Sequence, residues 1–141
     1  MATRCRRPLS AQSVGWLVQR LRGKVVWGRG EFSQWIEKLS ALYARKTGVE
    51  FYPGTLNLQL DDPWTVPPNP IRLEGHEYGG HVSVNIVPCE FHGRRGFILR
   101  TDQNEHEELH HPRTILEVAA DVRLRDEFGL RDGDYFEVST A

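Results

Sequence analysis

The chain has 141 residues, 39% of them hydrophobic and 26% charged, with a formal net charge of −1, which suits one domain that buries about two-thirds of its unfolded surface. No apolar run is long enough for a membrane-spanning helix, and no pattern at the start reads as a secretory leader. Cys5 and Cys89 are the only cysteines, too few and too far apart for a disulfide framework or a cysteine zinc site, so a reducing, cytoplasmic setting is the expectation.

Residues 1–30 carry Arg4, Arg6, Arg7, Arg20, Arg22, Lys24 and Arg29 with no acid, which leaves −8 on the remainder. This end reads as a basic extension over 1–23, a solvated tail or one touching nucleic acid or an acidic partner. Nothing else in the chain has the aromatic-interleaved basic strand or the zinc-finger spacing of a nucleic-acid module. Ser10 predicts the cap of a short helix through Val14, Leu17, Val18 and Leu21 that ends at Gly23. Lys24 to Trp27 is a strand candidate, broken by Gly28-Arg29-Gly30. From Glu31, the spacing of Phe32, Trp35, Ile36, Leu39, Leu42 and Tyr43 predicts one amphipathic helix stopping near Gly48.

Pro53-Gly54 then predicts a tight turn, with Gly54 free to take positive φ. The alternation that follows puts Thr55 and Asn57 on one face of a strand and Leu56, Leu58 and Leu60 on the other. A Pro-rich loop runs through Pro63, Pro67, Pro68 and Pro70. Strands are expected at Ile71–Leu73 and His81–Pro88, then a hairpin of Glu90–His92 and Gly96–Arg100 around Gly93-Arg94-Arg95. Thr101 to Pro112 is polar and reads as a long loop, the kind that often carries function. Ile115–Val118 returns to β character, Leu124–Phe128 reads as a helical turn, and Asp132-Gly133-Asp134 leads to a last strand, Tyr135–Val138. Many short strands with one amphipathic helix indicate a mainly β fold, a small β-barrel, and no internal repeat is evident.

Several residue sets can carry chemistry. Thr55 and Asn57 are short oxygen-bearing side chains on one face just past a rigid turn, able to hold a hard cation beside a phosphate. Gly28-Arg29-Gly30 allows backbone N–H groups to approach phosphates, although a plain turn has the same pattern. No Walker A or dinucleotide fingerprint is present, so a phosphate site here is neither P-loop nor Rossmann. His106-Glu107-Glu108-Leu109-His110 matches the zinc-protease pattern in form, but its surroundings have no apolar stripe and Pro112 cuts it off, so it reads as a coincidence. Glu117 lies in the apolar run Ile115 to Ala119 and must face solvent, a partner or a ligand. Arg123 and Arg125 alternate with Val122 and Leu124, and suit either anion binding or a solvated face.

The order of these elements resembles the CTP-dependent riboflavin kinases found mainly in archaea. The resemblance rests on Gly28-Arg29-Gly30, Tyr52 to Asn57 (Tyr-Pro-Gly-Thr-Leu-Asn), Gly79-Gly80, His111-Pro112, Leu116-Glu117-Val118, Val122-Arg123-Leu124-Arg125 and Asp132-Gly133-Asp134, and covers about residues 24 to 141. It implies a six-stranded cradle-loop barrel in 24–141 that transfers the γ-phosphoryl group of CTP to the ribityl 5′-hydroxyl of riboflavin, giving FMN and CDP. It further implies Mg²⁺ on Thr55 and Asn57. Nucleotide contacts would come from Gly28, Arg29, Gly30, Glu31, Phe32 and Ser33 and from Val122, Arg123, Leu124 and Arg125. Flavin contact would come from Glu117 and from the position of Leu109. No residue stands out as a general base.

Three departures bear on the acceptor and the phosphate loop. Phe32 occupies a position where the family usually has a third glycine, and a ring there would crowd a backbone–phosphate approach. Leu109 aligns with a flavin-contacting threonine, for which Thr101 or Asn104 could stand in. The polar stretch Asp102 to Glu108 replaces the usual approach to that threonine. Two further readings therefore stay open: a kinase of another small alcohol, and a non-catalytic relative that binds a nucleotide or flavin.

Overall fold

A computed structural model describes residues 18–28, 31–105 and 113–140. Seven strands, β1 (Gln19–Val26), β2 (Leu56–Gln59), β3 (Ile71–Leu73), β4 (Val84–Phe91), β5 (Arg94–Thr101), β6 (Ile115–Ala119) and β7 (Tyr135–Thr140), form one antiparallel sheet in the order β3-β4-β5-β6-β2-β1-β7. A further pairing, Glu90 with Ser139, joins β4 to β7 and closes six of the strands into a barrel, leaving β3 outside the ring on β4. The expected six-stranded barrel is thus present with one added strand. Four short helices accompany it: α1 (Glu31–Lys38), α2 (Ser40–Thr47), α3 (Asp102–Glu105) and α4 (Leu124–Glu127). Among the described residues no helix is long and apolar enough to cross a membrane.

Strand alternation builds two apolar layers. Leu58, Val87, Ile98, Leu116, Val118 and Val138 fill the barrel interior. Alternate residues, Ile86, Phe97 and Leu99, point outward and are covered by Phe32, Ile36 and Tyr43 of α1 and α2. The helices therefore lie against β4, β5 and β6, where both sheet faces are buried.

Four local expectations need correction. Val18 to Gly23 are not the end of a helix: β1 begins at Gln19 and buries Leu21 and Val25 on alternate positions while pairing from Gln19–Thr140 to Lys24–Tyr135. The distant partner β7 decides this, and no local signal reports it. Residues 1–17, including Ser10, Val14 and Leu17, lie outside the described residues. The single amphipathic helix is two, with a break at Leu39 (φ −109°, ψ 24°); bonds from Leu39 N–H to Trp35 O and from Tyr43 N–H to Leu39 O continue through it, so it is a kink. Gly48 ends α2 in the left-handed conformation, φ 76°.

The third correction concerns the hairpin. β4 runs through Pro88 to Phe91, and the turn is only His92-Gly93, both at positive φ (50° and 74°), a type I′ turn. Pro88 is tolerated because β3 pairs with residues 84–86 and β7 with Glu90, so its missing N–H falls between the two neighbours.

The polar stretch after β5 starts as α3 rather than as loop; residues 106–112, with the His106–His110 motif, Leu109 and His111-Pro112, lie outside the described residues. Two networks anchor its flanks. Arg100, 2% exposed, donates to the carbonyls of Trp64, Arg113 and Ile115 and pairs with Glu105 at 3.1 Å. Arg72 holds Asp102 at 2.7 Å, and Asn85 donates to the same carboxylate at 2.9 Å. Both fix α3 to the barrel rim.

Candidate functional site

The site begins with strand register. Asn57 pairs with Val26 of β1 on one side and with Glu117 of β6 on the other, and Glu117 pairs in turn with Leu99 of β5. One row across four strands thus carries both polar candidates, and Trp27 and Gly28 follow directly after the end of β1.

The Tyr52–Asn57 segment is held at both ends. Tyr52 N–H donates to Ala120 O at 2.8 Å, and Gly54 N–H returns to Tyr52 O at 2.8 Å around Pro53, a three-residue γ-type turn. Gly54 does not take positive φ. A Cβ there would lie 3.3 Å from the exposed Tyr52 ring, a tight contact that a small shift of the ring relieves. Leu56 and Leu58 plug the barrel at 3% and 0% exposure, so Thr55 and Asn57 face outward, as the alternation predicts.

Thr55 Oγ1 donates to Glu117 Oε1 at 2.8 Å and lies 3.5 Å from Asn57 Oδ1. The Asn57 amide sits against Gly28: a Cβ on Gly28 would come within 2.4 Å of Asn57 Nδ2. This close approach explains the glycine better than any turn requirement. The oxygens of Thr55 and Asn57, with a carboxylate behind them, suit a hard cation that takes the rest of its shell from phosphate and water. Among the described residues no group of three or more His, Cys, Asp or Glu forms an alternative metal cluster.

Two cavities meet at this row. The first, about 300 Å³, is bounded by Trp27, Gly28 and Ser33, by Tyr52 to Asn57, and by Arg123, Leu124 and Arg125. It is the more polar of the two, and both arginines carry ion pairs: Arg123 with Asp126 at 2.8 Å and Arg125 with Asp132 at 2.7 Å. Arg125 also donates to Val26 O at 3.2 Å, which ties α4 to the end of β1. The second cavity, about 170 Å³, is aromatic: Phe32, Trp35, Tyr43 and Tyr78 line it together with Thr101, Gln103, Asn104 and Glu117. Trp35 and Tyr78 meet at 5.9 Å and 54°. Burial, then Tyr78 and Glu117, hold the Tyr43 phenol well above its ordinary pKa, so it stays protonated.

Gly28, Ser33, Thr55, Asn57, Arg123, Leu124 and Arg125 therefore gather at the first cavity, and Glu117 reaches the second. Phe32 does not crowd the first: its ring is 7% exposed, packs in the outer apolar layer and lines the second cavity. Thr101 and Asn104 both stand at the second cavity, with Asn104 N–H donating to Thr101 Oγ1 at 3.0 Å. Val122 is partly buried against the barrel core. Arg29, Gly30 and Leu109 lie outside the described residues. Sequence reasoning missed Trp27, Trp35 and Tyr78. Trp35 was legible only as one of the apolar positions of α1, and Trp27 only as the end of a strand.

A closed antiparallel barrel with a polar and an aromatic cavity sharing one strand pair defines the class. The family model for CTP-dependent riboflavin kinases, described as a domain of unknown function (DUF120), matches residues 25–140, and the chain belongs to that family. Similar curated proteins include the riboflavin kinases of Methanocella arvoryzae, 32% identical over 127 residues, and Archaeoglobus fulgidus, 31% over 132 residues. That of Pyrobaculum islandicum is 34% identical over 129 residues. Each match covers 84% of this chain but 56%, 53% and 59% of those relatives, so the chain spans little more than half their length.

Proposed function

We propose that this chain transfers the γ-phosphoryl group of CTP to the ribityl 5′-hydroxyl of riboflavin in the cytoplasm, giving FMN and CDP. The observation that carries this reading is the Thr55–Glu117 hydrogen bond, which stands between a polar cavity and an aromatic one. A triphosphate suits the first cavity, where Ser33, Thr55, Asn57, Arg123 and Arg125 supply polar and cationic groups. A flat aromatic acceptor fits the other, between Trp35 and Tyr78. Mg²⁺ would be held by Thr55 and Asn57, where it would neutralise phosphate charge.

In the transfer the bond from the β,γ-bridging oxygen to the γ-phosphorus breaks and a ribityl oxygen–phosphorus bond forms. CDP keeps the electron pair and the hydroxyl proton is released. With no general base assigned, the acceleration rests on alignment and on charge neutralisation. Glu117 positions Thr55 on one side and contacts the acceptor on the other.

The test is the purified protein with Mg²⁺, riboflavin and each of CTP, ATP, GTP and UTP, followed by FMN formation. CTP-selective turnover that needs Mg²⁺ and is lost in Thr55→Ala and Asn57→Ala is the expected result. Binding of flavin and nucleotide without turnover would replace this reading with that of a non-catalytic relative. Turnover of a different alcohol would move the acceptor.

A further inference from the structure

Trp27 is the largest exposed apolar residue next to the polar cavity, at 69% exposure, and packing does not account for it. One side of its indole is taken by Arg125, whose guanidinium carbon lies 4.1 Å from the ring centroid. That guanidinium is held in place by Asp132 Oδ1 at 2.7 Å and by Val26 O at 3.2 Å, and it is itself only 13% exposed. The backbone beneath is pinned as well: Val25 N–H donates to Asp134 O at 2.7 Å and Gly133 N–H to Val25 O at 2.9 Å. An indole resting on a fixed cation above a fixed backbone is a rigid platform with surface left for a ligand.

Its place defines that ligand. Trp27 adjoins Gly28, which packs directly against the Asn57 amide, and it lines both the polar cavity and a neighbouring open hollow of about 380 Å³. Arg123 and Arg125 also line both spaces, while Asp126, Leu130 and Asp132 belong to the hollow. A nucleotide with its terminal phosphates at Asn57 must extend its ribose and base away from Glu117, and the path along the cavity runs past Trp27.

We infer that Trp27, backed by Arg125, is the stacking platform for the nucleobase of the bound nucleoside triphosphate. The inference rests on the assignment of the polar cavity to the phosphates. Stacking uses the π face that every base has, so Trp27 supplies affinity and does not distinguish one base from another. Choice among bases falls to groups at the hollow's edge.

The test is titration calorimetry of the full chain with Mg²⁺ plus CTP, Mg²⁺ plus UTP, and Mg²⁺ plus inorganic tripolyphosphate, which has no base. Trp27→Ala should raise the dissociation constants of CTP and UTP by about tenfold, equivalent to one stacked base. It should leave tripolyphosphate binding unchanged, and Trp27→Phe should retain most of the affinity. A Trp27→Ala protein that binds CTP within twofold of the parent overturns the inference. So does one that loses tripolyphosphate equally, since the ring would then only shape the phosphate loop. Loss of CTP and tripolyphosphate in Asn57→Ala, with no effect in Trp27→Ala, removes the stacking role and keeps the phosphate site. A parent protein that binds none of the three removes both.

Discussion

Thr55 Oγ1 donates its single proton to Glu117 Oε1 at 2.8 Å, across the seam between β2 and β6. A hydroxyl has one proton and two lone pairs, so committing the proton to Glu117 leaves the lone pairs for the polar cavity. The same carboxylate belongs to the wall of the aromatic cavity. One hydrogen bond therefore joins an oxygen of the polar cavity to a carboxylate in the wall of the aromatic one.

That bond separates two substitutions. Thr55→Ser keeps the hydroxyl and is expected to retain activity within several-fold, whereas Thr55→Val should lower kcat/KM for phosphoryl transfer by about 10²-fold. Glu117→Gln keeps the shape but weakens the acceptor for the Thr55 proton, and a loss of about 10–100-fold is expected. Steady-state kinetics with each substrate varied checks this. The Glu117 effect should appear on the KM of the acceptor as well as on kcat, and a defect confined to the KM of CTP would refute the shared role.

The contact between Gly28 and Asn57 gives a second prediction. A Cβ at position 28 would lie 2.4–2.6 Å from the Asn57 amide, well inside contact distance. The Asn57 side chain would have to swing away, and displacing a positioning group by about 1 Å is enough to cost about 10²-fold. Gly28 is exposed at the end of β1, so Gly28→Ala should lose activity while its thermal midpoint stays within a few degrees of the parent. A parallel collapse of stability would show that the glycine serves the fold instead.

What was legible in the chain follows from how local each determinant is. The Leu56-Leu58-Leu60 alternation placed Thr55 and Asn57 on the outer face because strand period alone sets it. The β3 segment and the helical turn at α4 were equally local. The N-terminal part of β1 was not, because its apolar spacing fits a short helix until β7 supplies the partner. The aromatic cavity was hidden for a similar reason. Trp35, Tyr78 and Asn104 come from three separate elements and meet only after the barrel closes. The direction of the Phe32 ring was hidden as well, because a residue's identity does not say which way its side chain turns: it lines the second cavity and not the first.

Phe32 therefore makes a sharp third case. Its ring is 7% exposed and packs with Ile36 and Tyr43 in the layer over β4, β5 and β6. Phe32→Gly, which puts in the glycine that the resemblance implies at this position, removes a buried aromatic ring and adds a poor helix former in α1. The transfer and cavity costs come to about 3–5 kcal/mol, with about 1 kcal/mol more from helix propensity. Urea denaturation should show that loss, and CTP affinity at low temperature should not improve. Tighter CTP binding in the variant would mean that the ring does obstruct the phosphate loop.

Cys89 supplies the pH prediction. Its side chain is 3% exposed inside the barrel, and burial, with Glu90 adding to it, pushes the thiol pKa up to about 12. In the unfolded chain a cysteine titrates near about 8.5. The native state thus keeps the proton where the unfolded state releases it, so the contribution of Cys89 to stability is complete below about pH 8.5. It falls as pH rises from there toward about 12. In a Cys5→Ser background, a thiol-specific reagent at pH 8 should label Cys89 only as fast as the protein opens, and rapidly in urea. Cys89→Ala should flatten the decline in stability between pH 9 and 11, as measured by denaturant midpoints. Fast labelling of the folded protein at pH 8 would place the thiol at an accessible surface and contradict its burial among Phe91, Ile98 and Val138.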